Sequence, residues 1–341
     1  MGRKIVVRQT KTALVDARRE IVFRVFRFNA EFDVLPHYDD FALKVSRGEV
    51  LLDALNRIKA ELDSSLSYRK SCRHGICGSC AIKVENQAVL ACKANLFALA
   101  DRYGEVLTLE PLNKRLAPRD LIANKSGFWE NYRAVNPWLE AEIDESSPKE
   151  NLIPPAINDR LNGADACVAC GICFYSCPVV AENDRFLGPA ALAKSYRFAA
   201  DIRDQALGDR LRLANSDRIG IWNCVKCYQC HETCPKEVSP IDKIIKLHAI
   251  SAENNANVDS IAFRHAKAFK TSIQKSGRLD EAANVIESAG LFGALRHIRE
   301  AFSMLRRGKL PFGVKKIDKL DEVQKLVKSA SAPQSPDKER R

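Results

Sequence analysis

Twelve cysteines constrain this 341-residue chain more than any other feature, because none of them lies outside three tight clusters. The first cluster is Cys72-Arg-His-Gly-Ile-Cys77-Gly-Ser-Cys80, completed by Cys92, with the spacing C-x4-C-x2-C-x11-C. The second is Cys167-Val-Ala-Cys170-Gly-Ile-Cys173-Phe-Tyr-Ser-Cys177-Pro178. The third is Cys224-Val-Lys-Cys227-Tyr-Gln-Cys230-His-Glu-Thr-Cys234-Pro235. Both of these read C-x2-C-x2-C-x3-C-P, so the chain contains one internal repeat, offset by 57 residues.

Three chemistries compete for cysteines at this density. Disulfides need an oxidising compartment and favour small chains with dispersed cysteines. No apolar stretch follows Met1-Gly2-Arg3-Lys4, so a cleaved secretory leader is not expected, and the thiols come in fours. Zinc prefers paired C-x2-C knuckles separated by a longer spacer. Here three or four cysteines crowd into about nine to eleven residues, which suits a polynuclear cluster better than a single ion. Iron–sulfur ligation fits all three runs. C-x2-C-x2-C-x3-C-P is the bacterial ferredoxin run and C-x4-C-x2-C the plant-type run.

The spacing has a physical reason. Thiolates are soft ligands suited to iron–sulfur centres. Two intervening residues let the chain curl around a cube corner and offer successive sulfurs to different irons. Gly75, Gly78 and Gly171 supply the unusual dihedrals of such a wrap and let backbone N–H groups approach the sulfides. Pro178 and Pro235 turn the chain away at the end of each run. In two-cluster ferredoxins the fourth cysteine of each run ligates the other cluster. On that rule one [4Fe–4S] centre takes Cys167, Cys170, Cys173 and Cys234, and the second takes Cys177, Cys224, Cys227 and Cys230. A [2Fe–2S] centre takes Cys72, Cys77, Cys80 and Cys92. The expected load is ten irons per chain.

The rest of the chain supports an α+β protein of two or three domains. Residues 1–145 read as a β-grasp ferredoxin domain. Strands are expected at Ile21–Phe28 and Phe41–Val45, a helix at Val50–Leu62, a hairpin of 81–85 and 88–92 turning at Asn86-Gln87, and a strand at Glu105–Leu109. Ser146-Ser-Pro and Ile153-Pro-Pro mark a linker. Residues 150–250 read as an all-α, bacterial-type two-cluster domain with a helical insert at Gly188–Asp204. Residues 251–341 read as a basic helical extension with a disordered tail from Ser331.

At 46% hydrophobic and 28% charged, the composition excludes disorder or coiled coil for the bulk of the chain. No apolar run reaches the roughly 18–20 residues that cross a bilayer, so the chain is not expected to span a membrane. The net charge of +11 raises the question of nucleic acid. However, the last 51 residues carry +7 of it, and no aromatic-interleaved basic patch flanks the cysteines. A nucleic-acid protein with a structural cluster is the weaker reading. The segment from Leu291 to Leu305 is amphipathic and basic, suited to its own domain, a partner or a lipid surface.

These residues resemble the iron–sulfur subunit of succinate dehydrogenase and fumarate reductase. The resemblance rests on Tyr68-Arg-Lys-Ser-Cys72 with the cluster that follows, Leu90-Ala-Cys92, Phe186-Leu-Gly-Pro-Ala-Ala191, Tyr196-Arg-Phe, Asp201-Ile-Arg-Asp204, Trp222-Asn-Cys224 and Cys234-Pro-Lys236. It covers about residues 20–245. It implies an electron-transfer subunit that passes single electrons between the FAD of a flavoprotein subunit and a quinone-linked membrane-side subunit. No catalytic acid or base is implied on this chain. The complex would be peripheral to a membrane, on the cytoplasmic side, or on the periplasmic side by co-export.

Three departures from the family pattern refine the expectation. Members commonly hold [3Fe–4S] at the last centre, with an aliphatic residue where this chain has Cys227, so [4Fe–4S] is expected there. Val179, Val180 and Val225 stand where quinone-binding members often carry Ser, aromatic residues and His, so quinone is reached indirectly. His265, Phe269 and Gly277-Arg278, in the extension, resemble heterodisulfide-reductase-like subunits, which pair with CCG-domain proteins. The alternative function is therefore electron wiring for another flavoenzyme or a heterodisulfide-reductase-like complex. Trp222 and His231 flank the third run, where either could tune a centre's potential or line an electron exit; core packing is the competing expectation for Trp222 and solvent exposure for His231.

Overall fold

In a computed structural model, residues 18–141, 150, 152–161, 163–254, 261–296, 298–308 and 314–331 are described. The Met1-Gly2-Arg3-Lys4 start, the Ser146-Ser-Pro linker and the tail from Ala332 lie outside them. The chain forms two compact units that alternate along the sequence. One comprises Met1–Phe128, Cys167–Ser176 and Glu232–Glu237, and the other Trp129–Ala166, Cys177–His231 and Val238–Arg341.

The first unit is built on a five-stranded mixed sheet of order β2-β1-β5-β3-β4. Its strands are β1 (Arg18–Arg27), β2 (His37–Ser46), β3 (Ala81–Val84), β4 (Gln87–Leu90) and β5 (Val106–Glu110). β1 runs antiparallel to β2, with Phe23 opposite Phe41, and parallel to β5, with Val25 opposite Leu109. Period-two burial drives this placement. Ile21, Phe23 and Val25 are wholly enclosed, while Glu20 and Arg24 face outward. Arg24 grips Asp40 across the β1–β2 pair through two bonds of 3.0 Å. Helix α1 (Leu51–Arg57), continued by a wide turn at Ile58–Leu62, packs Leu51, Leu52, Ala54, Leu55 and Ile58 into the same core. Each fully buried Leu or Ile contributes about 1.5–3 kcal/mol. Helix α2 (Leu96–Tyr103) was not expected from the sequence. Asn95 caps it, its side chain accepting from the Ala98 amide at 3.1 Å.

The remaining helices are α3 (Ser126–Ala134), α4 (Pro155–Leu161), α5 (Ile172–Tyr175), α6 (Pro178–Glu182), α7 (Gly188–Ala199), α8 (Leu207–Ala214), α9 (Gln229–Glu232), α10 (Pro240–Glu253), α11 (Ile261–Ser276), α12 (Glu281–Arg296), α13 (Ile298–Arg306) and α14 (Leu320–Ser331). The second unit's core joins Ala191, Leu192 and Tyr196 of α7 to Ile244 and Leu247 of α10. Arg210 of α8 is buried and fully engaged. It donates to Asp204 at 2.9 and 2.7 Å and to the carbonyls of Val135, Asn136 and Trp138 at 2.8–3.0 Å. Such a set of bonds offsets the cost of enclosing the charge. The insert helix stops at Ala199, five residues short of Asp204. The chain there turns instead around Asp201, which is held by Arg197 and Arg203 at 2.8 and 2.9 Å.

Candidate metal centres

The plant-type loop lies in the first unit, just before β3. Arg73, Gly75 and Gly78 take positive φ, which rotates successive amides inward. The amides of His74, Ile76 and Cys77 donate to Cys72 Sγ at 3.4, 3.4 and 3.3 Å. At the other end, the Ala91 amide bonds the Cys80 carbonyl at 3.0 Å and extends the β3–β4 ladder. This brings Cys80 and Cys92 together, both buried, and the Cys92 amide donates to the Cys80 sulfur. Burial pushes the Cys80 thiol up. Burial also acts on Cys77, but the Ser79 hydroxyl and nearby amides bring that thiol down. Sulfurs surrounded by N–H donors are suited to stay as thiolates, the form a metal binds.

The two repeated runs share one backbone shape. Ala169 and Gly171 take φ of 49° and 84°, and the equivalent Lys226 and Tyr228 take 55° and 62°. Three of these four are not glycine, so the left-handed turns are held against their ordinary cost. The result again aims amides at sulfur: Ile172 at Cys170, Val179 and Val180 at Cys177, and Lys226 at Cys224.

Around the second run, Cys170 lies within electrostatic reach of Cys167 and Cys234. Cys167, Cys170, Cys173 and Cys234 all belong to the first unit. A Cβ placed on Gly78 would lie 2.7 Å from Cys170 Cα and 3.0 Å from the Val168 carbonyl, so the plant-type loop and this run are in backbone contact. Lys125 Nζ donates to the Cys170 carbonyl at 2.7 Å, and Tyr175 donates to the Asn124 carbonyl at 2.6 Å. Burial lowers the Lys125 pKa, while Cys170, Cys80 and Cys77 act to raise it.

Cys177, Cys224, Cys227 and Cys230 belong to the second unit and line one cavity of about 340 Å³, part of it open to solvent. Val179, Phe186, Pro189, Val225, Ile241 and Ile244 form its apolar wall. Burial raises the Cys177 and Cys224 thiols and pushes Cys230 up to about 12. Among the described residues no group of three or more His, Cys, Asp or Glu side chains forms a single-ion site. Four thiols facing one space behind an apolar wall are the soft donor set that an iron–sulfur cluster takes, so the donor set fits a polynuclear cluster.

Of the flanking residues, Trp222 packs. Its Nε1 donates to Asn215 at 2.9 Å and its ring stands edge-on to His248 and Phe263. His231 is exposed and pairs with the Ser239 hydroxyl at 2.9 Å. Sequence reasoning missed Lys125, because a single lysine in Asn-Lys-Ser carries no sign of its burial.

Comparison with known proteins gives the same picture. A family model described as a 2Fe-2S iron-sulfur cluster binding domain matches residues 22–130, and one described as a 4Fe-4S dicluster domain matches residues 163–238. The fumarate reductase iron-sulfur subunit of Haemophilus influenzae is 37% identical over 231 residues, 64% of this chain and 88% of that protein. The mitochondrial succinate dehydrogenase [ubiquinone] iron-sulfur subunit of Dictyostelium discoideum is 33% identical over 239 residues, 68% and 83% of the two chains. A chain in the solved Mycobacterium smegmatis Sdh1 complex in the apo form superposes with a TM-score of 0.62 at 27% identity, over 71% of this chain and 99% of its own. One [2Fe–2S] domain is thus followed by a [4Fe–4S] dicluster domain. The chain belongs to the family of succinate dehydrogenase and fumarate reductase iron–sulfur subunits and serves as the electron-transfer subunit of such an oxidoreductase complex.

Proposed function

We propose that Cys72, Cys77, Cys80 and Cys92 hold the [2Fe–2S] centre, that Cys167, Cys170, Cys173 and Cys234 hold the first [4Fe–4S] centre, and that Cys177, Cys224, Cys227 and Cys230 hold the second. Single electrons pass between a flavoprotein's FAD, which faces the [2Fe–2S] domain, and a membrane-side subunit, which faces the last centre. Each centre supplies one-electron chemistry. The residues of this chain set its charge, its hydrogen bonds and its exclusion from water.

The observation that carries this reading is the cavity that Cys177 of the second run shares with Cys224, Cys227 and Cys230 of the third. Cys227 supplies a fourth thiol there, which supports [4Fe–4S] rather than [3Fe–4S]. The test is electron paramagnetic resonance and iron analysis of the purified complex. The oxidised complex is expected to lack a [3Fe–4S] signal and to carry ten irons per chain. Cys227→Val is expected to lose one iron and to produce that signal. A [3Fe–4S] signal in the unaltered enzyme would sink the assignment.

The membrane-side partner is inferred to be a CCG-domain protein, so that quinone is reached indirectly. The extra cysteine and the valines at 179, 180 and 225 support this, and Val179 and Val225 contribute to the largely apolar wall of the last cavity. Among the described residues no helix is long and apolar enough to cross a membrane. Peripheral attachment through the membrane-side partner is proposed, on the cytoplasmic side, or on the periplasmic side by co-export. A haem-bearing anchor in the purified complex would overturn the partner assignment.

A further inference from the structure

We propose that Lys125 is a built-in cation that raises the reduction potentials of the first two centres and so sets how readily electrons move between the plant-type loop and the first cubane. The residue lies within one compact unit with both ligand sets. Its ammonium is half-buried and is bonded at 2.7 Å to the carbonyl of Cys170, a ligand of the first cubane under the assignment above. Cys77 and Cys80 of the plant-type loop also lie within its electrostatic reach. The two loops meet where Gly78 abuts Cys170, so one charge acts on both centres.

The segment carrying Lys125 is pinned in place. Tyr175 holds the Asn124 carbonyl at 2.6 Å, and Phe128 stands edge-on to Phe174 with ring centroids 5.6 Å apart. The ammonium is therefore held at a fixed place beside the second run rather than swinging through solvent. Each centre gains one electron on reduction, and no bond forms or breaks. The reduced form carries one more negative charge, and a nearby cation in a partly dehydrated site favours it.

This inference rests on the ligand assignment proposed above. The test is a redox titration of the purified complex followed by electron paramagnetic resonance, with Lys125→Met, Lys125→Gln and Lys125→Arg. Lys125→Met is expected to lower the reduced-to-oxidised ratio of the first cubane about tenfold at fixed ambient potential, a shift of ~59 mV for one electron. The [2Fe–2S] centre should shift the same way and the last centre should stay. Lys125→Gln keeps a donor for the Cys170 carbonyl without the charge and should shift like Lys125→Met, while Lys125→Arg should restore the parent values. Unmoved potentials in variants with full iron content would overturn the inference and leave the ligand assignment standing. A shift in Lys125→Met that Lys125→Gln abolishes would overturn it too, by assigning the effect to the hydrogen bond. Loss of all three signals from the unaltered complex would instead overturn the assignment itself.

Discussion

Gly78 carries two constraints at one residue. Its φ is +66°, a conformation that costs an L-residue about 1–2 kcal/mol, and the space where a Cβ would stand is occupied by the backbone of Cys170. Backbone cannot swing aside as a flexible side chain can. Gly78→Ala should therefore destabilise the chain by about 1–2 kcal/mol from the turn alone, and should also force the plant-type loop and the second run apart. Thermal unfolding of the complex reads the first effect. The rate at which the first cubane is reduced after rapid mixing with the complex's electron donor reads the second, and it should fall. If Gly78→Ala matches the parent in both, the contact does not matter. Gly75 is a milder case. A Cβ there would meet only the flexible Lys93 side chain, from Cγ to Cε, and no backbone.

At the scale of elements, the strongly periodic segments were legible and the edges were not. β1 and the start of α1 follow from alternation and from a helical stripe. β2 begins four residues before the expected Phe41, because His37 to Asp40 are polar and their strand state comes from pairing with β1. The hairpin turns at Glu85-Asn86, both at positive φ, one residue earlier than Asn86-Gln87. Asn95 ahead of Leu96-Phe97 was the available sign of α2. The cysteine runs were readable because ligand spacing is local. Their surroundings were not, because burial of Lys125 or of His248 depends on residues far away in sequence.

His248 gives a test at this scale. It lies on α10, with its ring centroid 4.3 Å from that of Trp222, whose ring also meets Phe263 of α11. Its Nε2 is buried without a hydrogen-bond partner. Burial, aided by Lys226, pulls its pKa down to about 4. The unfolded chain takes up this proton near its ordinary value of 6.5 and the folded chain only near 4. The contribution of the neutral ring is thus intact above about 6.5 and is lost progressively as pH falls toward 4. Unfolding temperature should decline between pH 7 and pH 5, and His248→Leu should flatten that decline. An unchanged slope in His248→Leu would assign the acid sensitivity to other groups.

At the scale of the whole molecule, the division into compact units falls inside both cysteine runs. Cys167, Cys170 and Cys173 belong to one unit and Cys177 to the other, while Cys230 and Cys234 divide the opposite way. That division parallels the crossed partition proposed above, in which each run would lend its fourth thiolate to the other centre. It has a consequence for folding as well. Two centres that each join residues from both runs would close chain segments of more than 45 residues, from Cys177 to Cys224 and from Cys173 to Cys234. Closing such loops constrains the unfolded chain most. Removing iron should therefore loosen both runs together. The partition itself is tested by single substitutions at the fourth positions. Cys177→Ala should alter the spectrum and potential of the centre held by Cys224, Cys227 and Cys230 and spare the one held by Cys167, Cys170 and Cys173. Cys234→Ala should do the reverse. If each substitution instead disturbs the centre of its own run, ligation is run by run and the crossed assignment fails.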